Sequence, residues 1–342
     1  MNSISMVLKS PGKIIPEKRP LPEPGPNYTR VKVVWAGICS TDLAIYNGHY
    51  KVPLPLVMGH EFSGIVEAVG PGVSPNWIGK PVVGEINNTC FATGDPEPCI
   101  ACMKGLSHHC LRRTVIGIDR YDGAFAEHIL IPHGNLHRIQ EGVTLKEATF
   151  TEPLAAAFQA FVGFHLRADD LVVVLGAGKL GLLVIAVARD KGAGVIAIDP
   201  DENQRSLAIE FGAEKTFSPD ESPGDKIKKL NKGIGADVVV ESSGTPTGIN
   251  TALNIVRPGG IIVQKSTPGQ VSEGVDITKI AVNEIRIQGS RCGPFKEALA
   301  MLDRHIIPLE KMIRGEYPLV RLQEALETAK KGGKILIRVS DD

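Results

Sequence analysis

The sequence predicts an α/β protein in two parts, a mostly β amino-terminal half followed by a doubly wound parallel sheet. Three observations predict it. Up to about residue 150, short β-rich pieces such as TRVKVVWAGI, EFSGIVEAVG, KPVVGEI and GAFAEHILI alternate with Pro- and Gly-containing turns. Beyond it, apolar runs suited to strands buried on both faces alternate with stretches of helical spacing. The first of those strands enters a glycine-rich turn that opens directly into a helix.

Taken in order, LVVVLGAG is a buried strand running into its turn, and KLGLLVIAVARDKG is a helix that stops at Gly192. GVIAIDP is the next strand and ENQRSLAIEFG the next helix. ADVVVESSG, a helix around PTGINTALNIV, and the strand GGIIVQKS follow. Past about residue 291 the alternation weakens: EALAMLDR and LQEALETAKKG are helix-like, and KILIRV is a terminal strand. No repeat with a period of about 20 to 50 residues is visible.

At 342 residues the chain has room for about two domains, and it needs no disulfide scaffold to build a core. Lys plus Arg and Asp plus Glu both number 38, so the formal net charge is zero. That balance argues against nucleic-acid binding or a polybasic membrane contact, which need a concentrated positive field. The first residues, MNSISMVLKSPGKIIPEKRP, are too polar for a signal peptide or a spanning helix, so a soluble cytoplasmic protein is expected. Of six cysteines, four lie within 21 residues, and in a reducing compartment such a cluster points to metal rather than disulfides.

Gly176-Ala177-Gly178-Lys179-Leu180-Gly181 is the strongest single motif. It follows a strand and opens a helix, and the next strand ends in Asp199, 18 residues beyond Gly181. That context makes it a dinucleotide fingerprint. The glycines permit the turn and the approach of backbone N–H groups to a pyrophosphate, and the helix N-terminus adds partial positive charge. Asp199 would accept hydrogen bonds from the adenosine ribose hydroxyls, which favours NAD over NADP.

Cys90, Cys99, Cys102 and Cys110 can close a tetrahedral zinc shell with no open position, the pattern of a structural site. A third set is dispersed: Gly37-Ile38-Cys39-Ser40-Thr41-Asp42, Gly59-His60-Glu61 and Thr151-Glu152-Pro153. A Cys/His/carboxylate set suits a catalytic zinc, but composition alone does not join these segments.

GICSTDLAIYNGHY, GHEFSGIVEAVG, the cysteine loop, DGAFAEHILIP, TEPLAAA and GAGKLG occur in an order that resembles the zinc-dependent medium-chain dehydrogenases, the alcohol, polyol and threonine dehydrogenase superfamily. The resemblance runs over essentially the whole chain. It implies a GroES-like, mostly β catalytic domain over residues 1–153, a Rossmann NAD-binding domain over 154–290, and a return to the catalytic domain over 291–342, with a linking helix at roughly 154–166. It places Cys39, His60 and Glu152 on a catalytic zinc, with Glu61 the nearby carboxylate, Thr41 the proton-relaying hydroxyl and Asp42 the carboxylate that orients the ligand histidine. Ser290 and Cys292 match backbone positions facing the nicotinamide amide, and Lys334 falls where a basic residue often lies near the pyrophosphate. Two zinc ions per chain, NAD, a small alcohol or polyol substrate and a homodimer or homotetramer follow from the same resemblance.

The chain departs from the family pattern in three places. Eight residues, FATGDPEP, separate Cys90 from Cys99 where two are usual, so Asp95 or Glu97 is an alternative to Cys90 as a ligand. The position of the outer relay histidine is Ala44; His49 is the nearest candidate, and a solvated surface histidine is its plainer reading. The third ligand position is Glu152 rather than Cys, as in the polyol, sugar and threonine branches. The expected activity is NAD-linked oxidation of a secondary hydroxyl to a ketone. The alternatives are a threonine-type or sugar dehydrogenase of the same superfamily, and a zinc-free enone reductase or silent NAD-binding protein, which metal content would separate.

Overall fold

The computed structural model describes residues 2–267 and 269–341. Two compact units emerge. One comprises residues up to 152 together with 295–305 and the segment from 312 onward; the other comprises 153–294 and 306–311. No helix among the described residues is long and apolar enough to cross a membrane.

The first unit begins with an antiparallel pair, β1 (Asn2–Ser10) and β2 (Lys13–Pro20). Its main sheet is organised by β3 (Tyr28–Gly37), whose Val31, Val33, Val34 and Ala36 are fully buried. After α1 (Ser40–Tyr46) the chain returns as β4 (Glu61–Val69), antiparallel to one edge of β3. The other edge of β3 takes His128–Pro132 at its start and the terminal strand Lys334–Arg338 at its end. The register therefore sets Gly37 directly between Glu61 and Leu336. Gly37 has to be glycine for steric reasons: a Cβ there would lie 2.4 Å from Glu61 Oε2 and 2.9 Å from both Cε and Nζ of Lys334.

The cysteine segment is a lobe of two short helices, Cys90–Thr93 and Ile100–Met103. Its only core is the cysteines themselves, while Phe91, Ile100, Met103, Leu106 and Leu111 are all exposed. The chain leaves this unit through α2 (Thr151–Gln159), which is shorter than the helix expected to reach residue 166. Three-residue hydrogen bonds from Ala160, Phe161 and Val162 tighten its last turn, and Gly163 at φ +95° ends it.

In the second unit, β5 (Leu171–Leu175), α3 (Lys179–Asp190), β6 (Gly194–Ile198), α4 (Glu202–Glu210), β7 (Lys215–Phe217), β8 (Ala236–Glu241), α5 (Gly248–Ile255), β9 (Val256–Gln264) and β10 (Arg286–Gly289) follow one another. The strands form one parallel sheet in the order β7-β6-β5-β8-β9-β10. Its core joins Val173, Leu175, Ile196, Val239, Leu253 and Ile262, and α3 is buried on all sides from Gly181 to Ala188. The strand order reverses at β5, with β6 on one side and β8 on the other, which opens a crevice beyond the carboxyl ends of those strands.

Gly37→Ala should lower stability by about 1–3 kcal/mol, because the added methyl must displace two side chains that are themselves buried. Denaturant unfolding checks this; an unchanged midpoint would contradict the close approach.

Candidate functional site

Cys39 and His60 come from different turns and are joined by one carboxylate. Cys39 is the N-cap of α1, and its N–H donates to Asp42 Oδ2 at 2.8 Å. Gly59 N–H donates to Asp42 Oδ1 at 3.2 Å, and the same oxygen lies 3.4 Å from His60 Nδ1. Gly59 needs its φ of +93° to make this turn, and a Cβ would touch the Phe125 ring at 2.8 Å. Asp42 is wholly buried and His60 nearly so. With Nδ1 turned to Asp42, Nε2 is the nitrogen left for a metal.

One ligand atom each from Cys39, His60 and Glu61 lies within 4.8 Å of the others. Burial opposes the Cys39 thiolate but is outweighed by the His60 imidazole, so the thiol sits below its ordinary value. Burial likewise opposes a charged His60, and Asp42 and Cys39 overcome it, raising the imidazole well above its usual range. A polar, charged cluster of thiolate, imidazole and carboxylate in a buried pocket fits a zinc ion. Glu152, in the first turn of α2, acts on Cys39 through its charge but is not part of the tight trio. Thr41 Oγ1 is 3.8 Å from Cys39 Sγ. Ala44 carries no titrating group, and His49 is exposed.

Lys334 has a partner within its own unit. It is buried in the first unit, where its Nζ donates to Glu61 Oε2 and lies 5.7 Å from the centre of the Phe150 ring. Burial lowers its ammonium to about 8 against the opposing charges of Cys39 and Asp42. A lysine opening the strand KILIRV gives no sequence signal of this partner, because the pairing spans 273 positions.

In the lobe, all four cysteine sulfurs lie within 4.8 Å of one another, with Cys90–Cys110 at 3.5 Å and Cys99–Cys110 at 3.7 Å. A tetrahedral zinc with bonds near 2.3 Å needs sulfurs roughly 3.8 Å apart, so the set fits. Asp95 instead pairs with Arg112 at 2.8 Å, which favours Cys90 over an acidic ligand. N–H donation from Cys102 and Leu111 lowers the Cys99 thiol to about 6, whereas burial raises Cys102 to about 12.

The three motif glycines have three different reasons. A Cβ at Gly176 would meet Ser243 Cα at 2.6 Å, and one at Gly181 would meet the Gly176 carbonyl at 1.9 Å. One at Gly178 would meet nothing within 4 Å, so there it is the approach of a ligand that needs the space. Gly178 caps α3 without a side chain, at the N-terminus of the helix that Lys179 and Leu180 begin. Asp199 Oδ2 accepts from Ala177 N–H at 2.7 Å and Oδ1 from Asp201 N–H at 2.9 Å, which fixes the carboxylate over the turn. Arg205 donates to the carbonyls of Asp199 and Pro200, not to the carboxylate. This turn and carboxylate fit a dinucleotide.

At the far side of the same edge, Ser290 N–H donates to the Gln264 carbonyl at 3.2 Å, and Cys292 is half-buried. Two further groups escaped the sequence reading. Lys265, largely buried, donates from Nζ to Ser290 Oγ at 3.2 Å and to the Arg291 carbonyl at 2.6 Å. Glu241, wholly buried, accepts from Ser243 N–H at 2.9 Å, from Gln264 Nε2 at 2.8 Å, and from the Ser243 and Ser266 hydroxyls. Their signal was available: each is a charge at the carboxyl end of an apolar strand, VVVE and IIVQK.

The family profile for the alcohol dehydrogenase GroES-like domain matches residues 25–141, and that for zinc-binding dehydrogenases matches residues 180–304. The chain is 30% identical to the sorbitol dehydrogenase of Halalkalibacterium halodurans, with 95% of each chain covered. It is 33% identical to the L-threonine 3-dehydrogenase of Bacillus subtilis, covering 93% of each. A zinc-binding dehydrogenase from Sinorhizobium meliloti, solved with NADP bound, superposes with a TM-score of 0.88 at 29% identity, covering 99% of this chain and 100% of that one.

Cys102→Ser should remove one metal ion and lower the melting temperature, with any loss of activity following unfolding, because the lobe has little apolar core of its own. Metal analysis with thermal melts checks this; two retained zinc ions per chain and an unchanged melting temperature would contradict it.

Proposed function

We propose a site assignment and a mechanism for this chain, which belongs to the zinc-dependent medium-chain dehydrogenase/reductase superfamily. It is an oxidoreductase acting on alcohol or polyol hydroxyls. The reading assigns residues 1–153 and 291–342 to catalysis and 154–290 to NAD. The observation that carries it is the convergence of Cys39, His60 and Glu61, held from behind by Asp42.

In this reading Cys39, His60 and Glu152 hold the catalytic zinc, with Glu61 beside them. Zinc supplies a positive charge that makes a substrate hydroxyl acidic near neutral pH, and NAD accepts the hydride. The rest falls to the chain's own groups. Asp42 fixes the His60 ring and its tautomer. Thr41 Oγ1 would take up the hydroxyl proton and pass it on, and Ala44 offers no imidazole for its exit. Gly176, Gly178, Lys179, Leu180 and Gly181 seat the pyrophosphate, Asp199 the adenosine ribose, and the backbone at Ser290 and Cys292 the nicotinamide amide. Cys90, Cys99, Cys102 and Cys110 hold the structural zinc.

We also assign the protein to the cytoplasm, in keeping with six free cysteines, and to a homodimer or homotetramer. The edge strand β10 pairs on one side only and exposes Ile287, while Ile277 and Val282 stand largely in solvent nearby in sequence.

His60→Ala should remove one zinc and abolish turnover while NAD still binds. Full activity with unchanged zinc content would overturn the ligand assignment.

Cofactor choice rests on Asp199. A 2′-phosphate about 4 Å from its carboxylate would be repelled by roughly 4 kcal/mol at an effective dielectric of 20. Solvent reduces this, so the expected preference for NAD is on the order of 100-fold, about 2.7 kcal/mol. Asp199→Ser should weaken NAD and relieve the exclusion of NADP. Measuring kcat/KM with both cofactors checks it, and equal use of NADP by the unmodified enzyme would refute the role of Asp199.

A further inference from the structure

The glycine turn after β5 has more conformational freedom than the strand and helix it joins. Gly176, at φ +88°, and Gly178, with open space where a Cβ would be, can both turn their peptide planes at little steric cost. What directs the N–H groups of the turn has to come from outside it.

Two neighbouring strand ends supply that direction. On the β6 side, the Ile198 carbonyl accepts from Gly176 N–H at 2.8 Å, and Asp199 Oδ2 accepts from Ala177 N–H at 2.7 Å. On the β8 side, Ser242 N–H donates to the Leu175 carbonyl at 2.9 Å, and the Ser242 hydroxyl lies 2.9 Å from the carbonyls of both Leu175 and Gly176. The peptides Leu175–Gly176 and Gly176–Ala177 are therefore gripped at both ends, the N–H groups from β6 and the carbonyls by Ser242. Ser242 Oγ also stands 3.1 Å from the place of a Gly181 Cβ, and Ser243 N stands 2.8 Å from that of a Gly176 Cβ, so this segment is packed onto the turn.

The brace is itself anchored through Glu241, the wholly buried residue before Ser242. Its carboxylate accepts from Ser243 N–H at 2.9 Å and from the Ser243 hydroxyl, and reaches the end of β9 through Gln264 Nε2 at 2.8 Å and the Ser266 hydroxyl. Its carbonyl accepts from Lys265 N–H at 2.9 Å. The residues on both sides of Ser242 are thus tied down, and Ser242 moves away only by stripping donors from a buried carboxylate. All of these groups belong to one compact unit.

We propose that Ser242 is a positioning residue for the dinucleotide: its hydroxyl holds the Gly176 carbonyl, and with it the Gly176–Ala177 peptide, in the orientation that receives the pyrophosphate, while Glu241 holds Ser242 in place. This role rests on the assignment of the pyrophosphate to the Gly176–Gly181 turn, and it identifies what keeps that seat formed before the cofactor arrives. A seat ordered in advance binds more tightly because the cost of ordering it is not met on binding.

The test titrates the full zinc-loaded chain by calorimetry with NADH and with ADP-ribose, which carries the pyrophosphate but no nicotinamide. Ser242→Ala should weaken both by the same factor, roughly five- to tenfold. Ser242→Thr keeps the hydroxyl and should stay within about twofold of the wild type. In steady-state kinetics KM for NAD should rise by the same factor in Ser242→Ala, with kcat at saturating NAD not lowered and zinc content unchanged. A hydroxyl that serves the fold alone would lower the melting temperature and leave both dissociation constants where they were. Unchanged dissociation constants in Ser242→Ala would overturn the inference and leave the pyrophosphate assignment standing. Equal weakening in Ser242→Thr, or weakening of NADH without ADP-ribose, would do the same. A wild-type chain that binds neither NADH nor ADP-ribose would overturn the pyrophosphate assignment, and the brace with it.

Discussion

The Asp42 carboxylate is the constraint on which the candidate metal centre depends. It is fully buried, and it joins two stretches of chain that share no sequence signal: the turn that opens α1 and the turn that opens β4. Its two oxygens take the N–H groups of Cys39 and Gly59, so the ligand residues are placed by backbone geometry before any metal binds. The His60 Nδ1 lies 3.4 Å from the same oxygen that Gly59 uses. Burying such a carboxylate without donors would cost several kcal/mol. With two backbone donors and an imidazole around it, the group instead fixes one arrangement, and disturbing any of the three loosens the others.

A second buried charge, Glu61, shows how sheet register shapes the centre. Gly37 sits between Glu61 and Leu336 in the ladder, and its missing side chain leaves the space through which Lys334 reaches the Glu61 carboxylate. Glu61 is thus shared between the Cys39/His60 cluster and a buried ammonium. Removing the lysine would leave Glu61 buried without its cation, and breaking a buried pair from one side typically costs 3–5 kcal/mol. Asp42 and Glu152 act on Cys39 through their charge and Glu61 lies within 4.8 Å of it; of these, Glu61 is the one whose carboxylate also takes the Lys334 ammonium.

Much of this was legible in the sequence because the signals were local. The parallel sheet is written in strand-length apolar runs and the dinucleotide turn in six consecutive residues. The position of Asp199 follows from the strand that carries it. The cysteine lobe is likewise contained in 21 residues, and its sulfurs converge as the spacing suggests. The candidate zinc ligands were not legible in that sense. Cys39, His60 and Glu152 could be joined only through a family resemblance, since nothing in periodicity brings those segments together. The Lys334–Glu61 pair was hidden for the same physical reason: it is set by an antiparallel ladder between chain ends, which a one-dimensional pattern does not encode. The linking helix fell short of residue 166 because the apolar pattern continues past the point where Gly163 turns the backbone into the left-handed region.

The lobe also explains why cysteine rather than an acid stands at position 90. Four thiolates around a divalent ion leave a net charge of about −2, which has to be neutralised at the sulfurs or in solvent. The lobe does both. Cys99 N–H points at Cys90 Sγ and Leu111 N–H at Cys99 Sγ, each at 3.4 Å, so backbone dipoles from within the loop stabilise the thiolates. Arg112 adds a full positive charge beside Asp95, the residue that would otherwise compete as a ligand. The residues between Cys90 and Cys99 thus bring an aspartate that is paired with Arg112, just beyond Cys110. In a lobe this poor in apolar core, backbone donors and charge act on four sulfurs spaced to hold a metal.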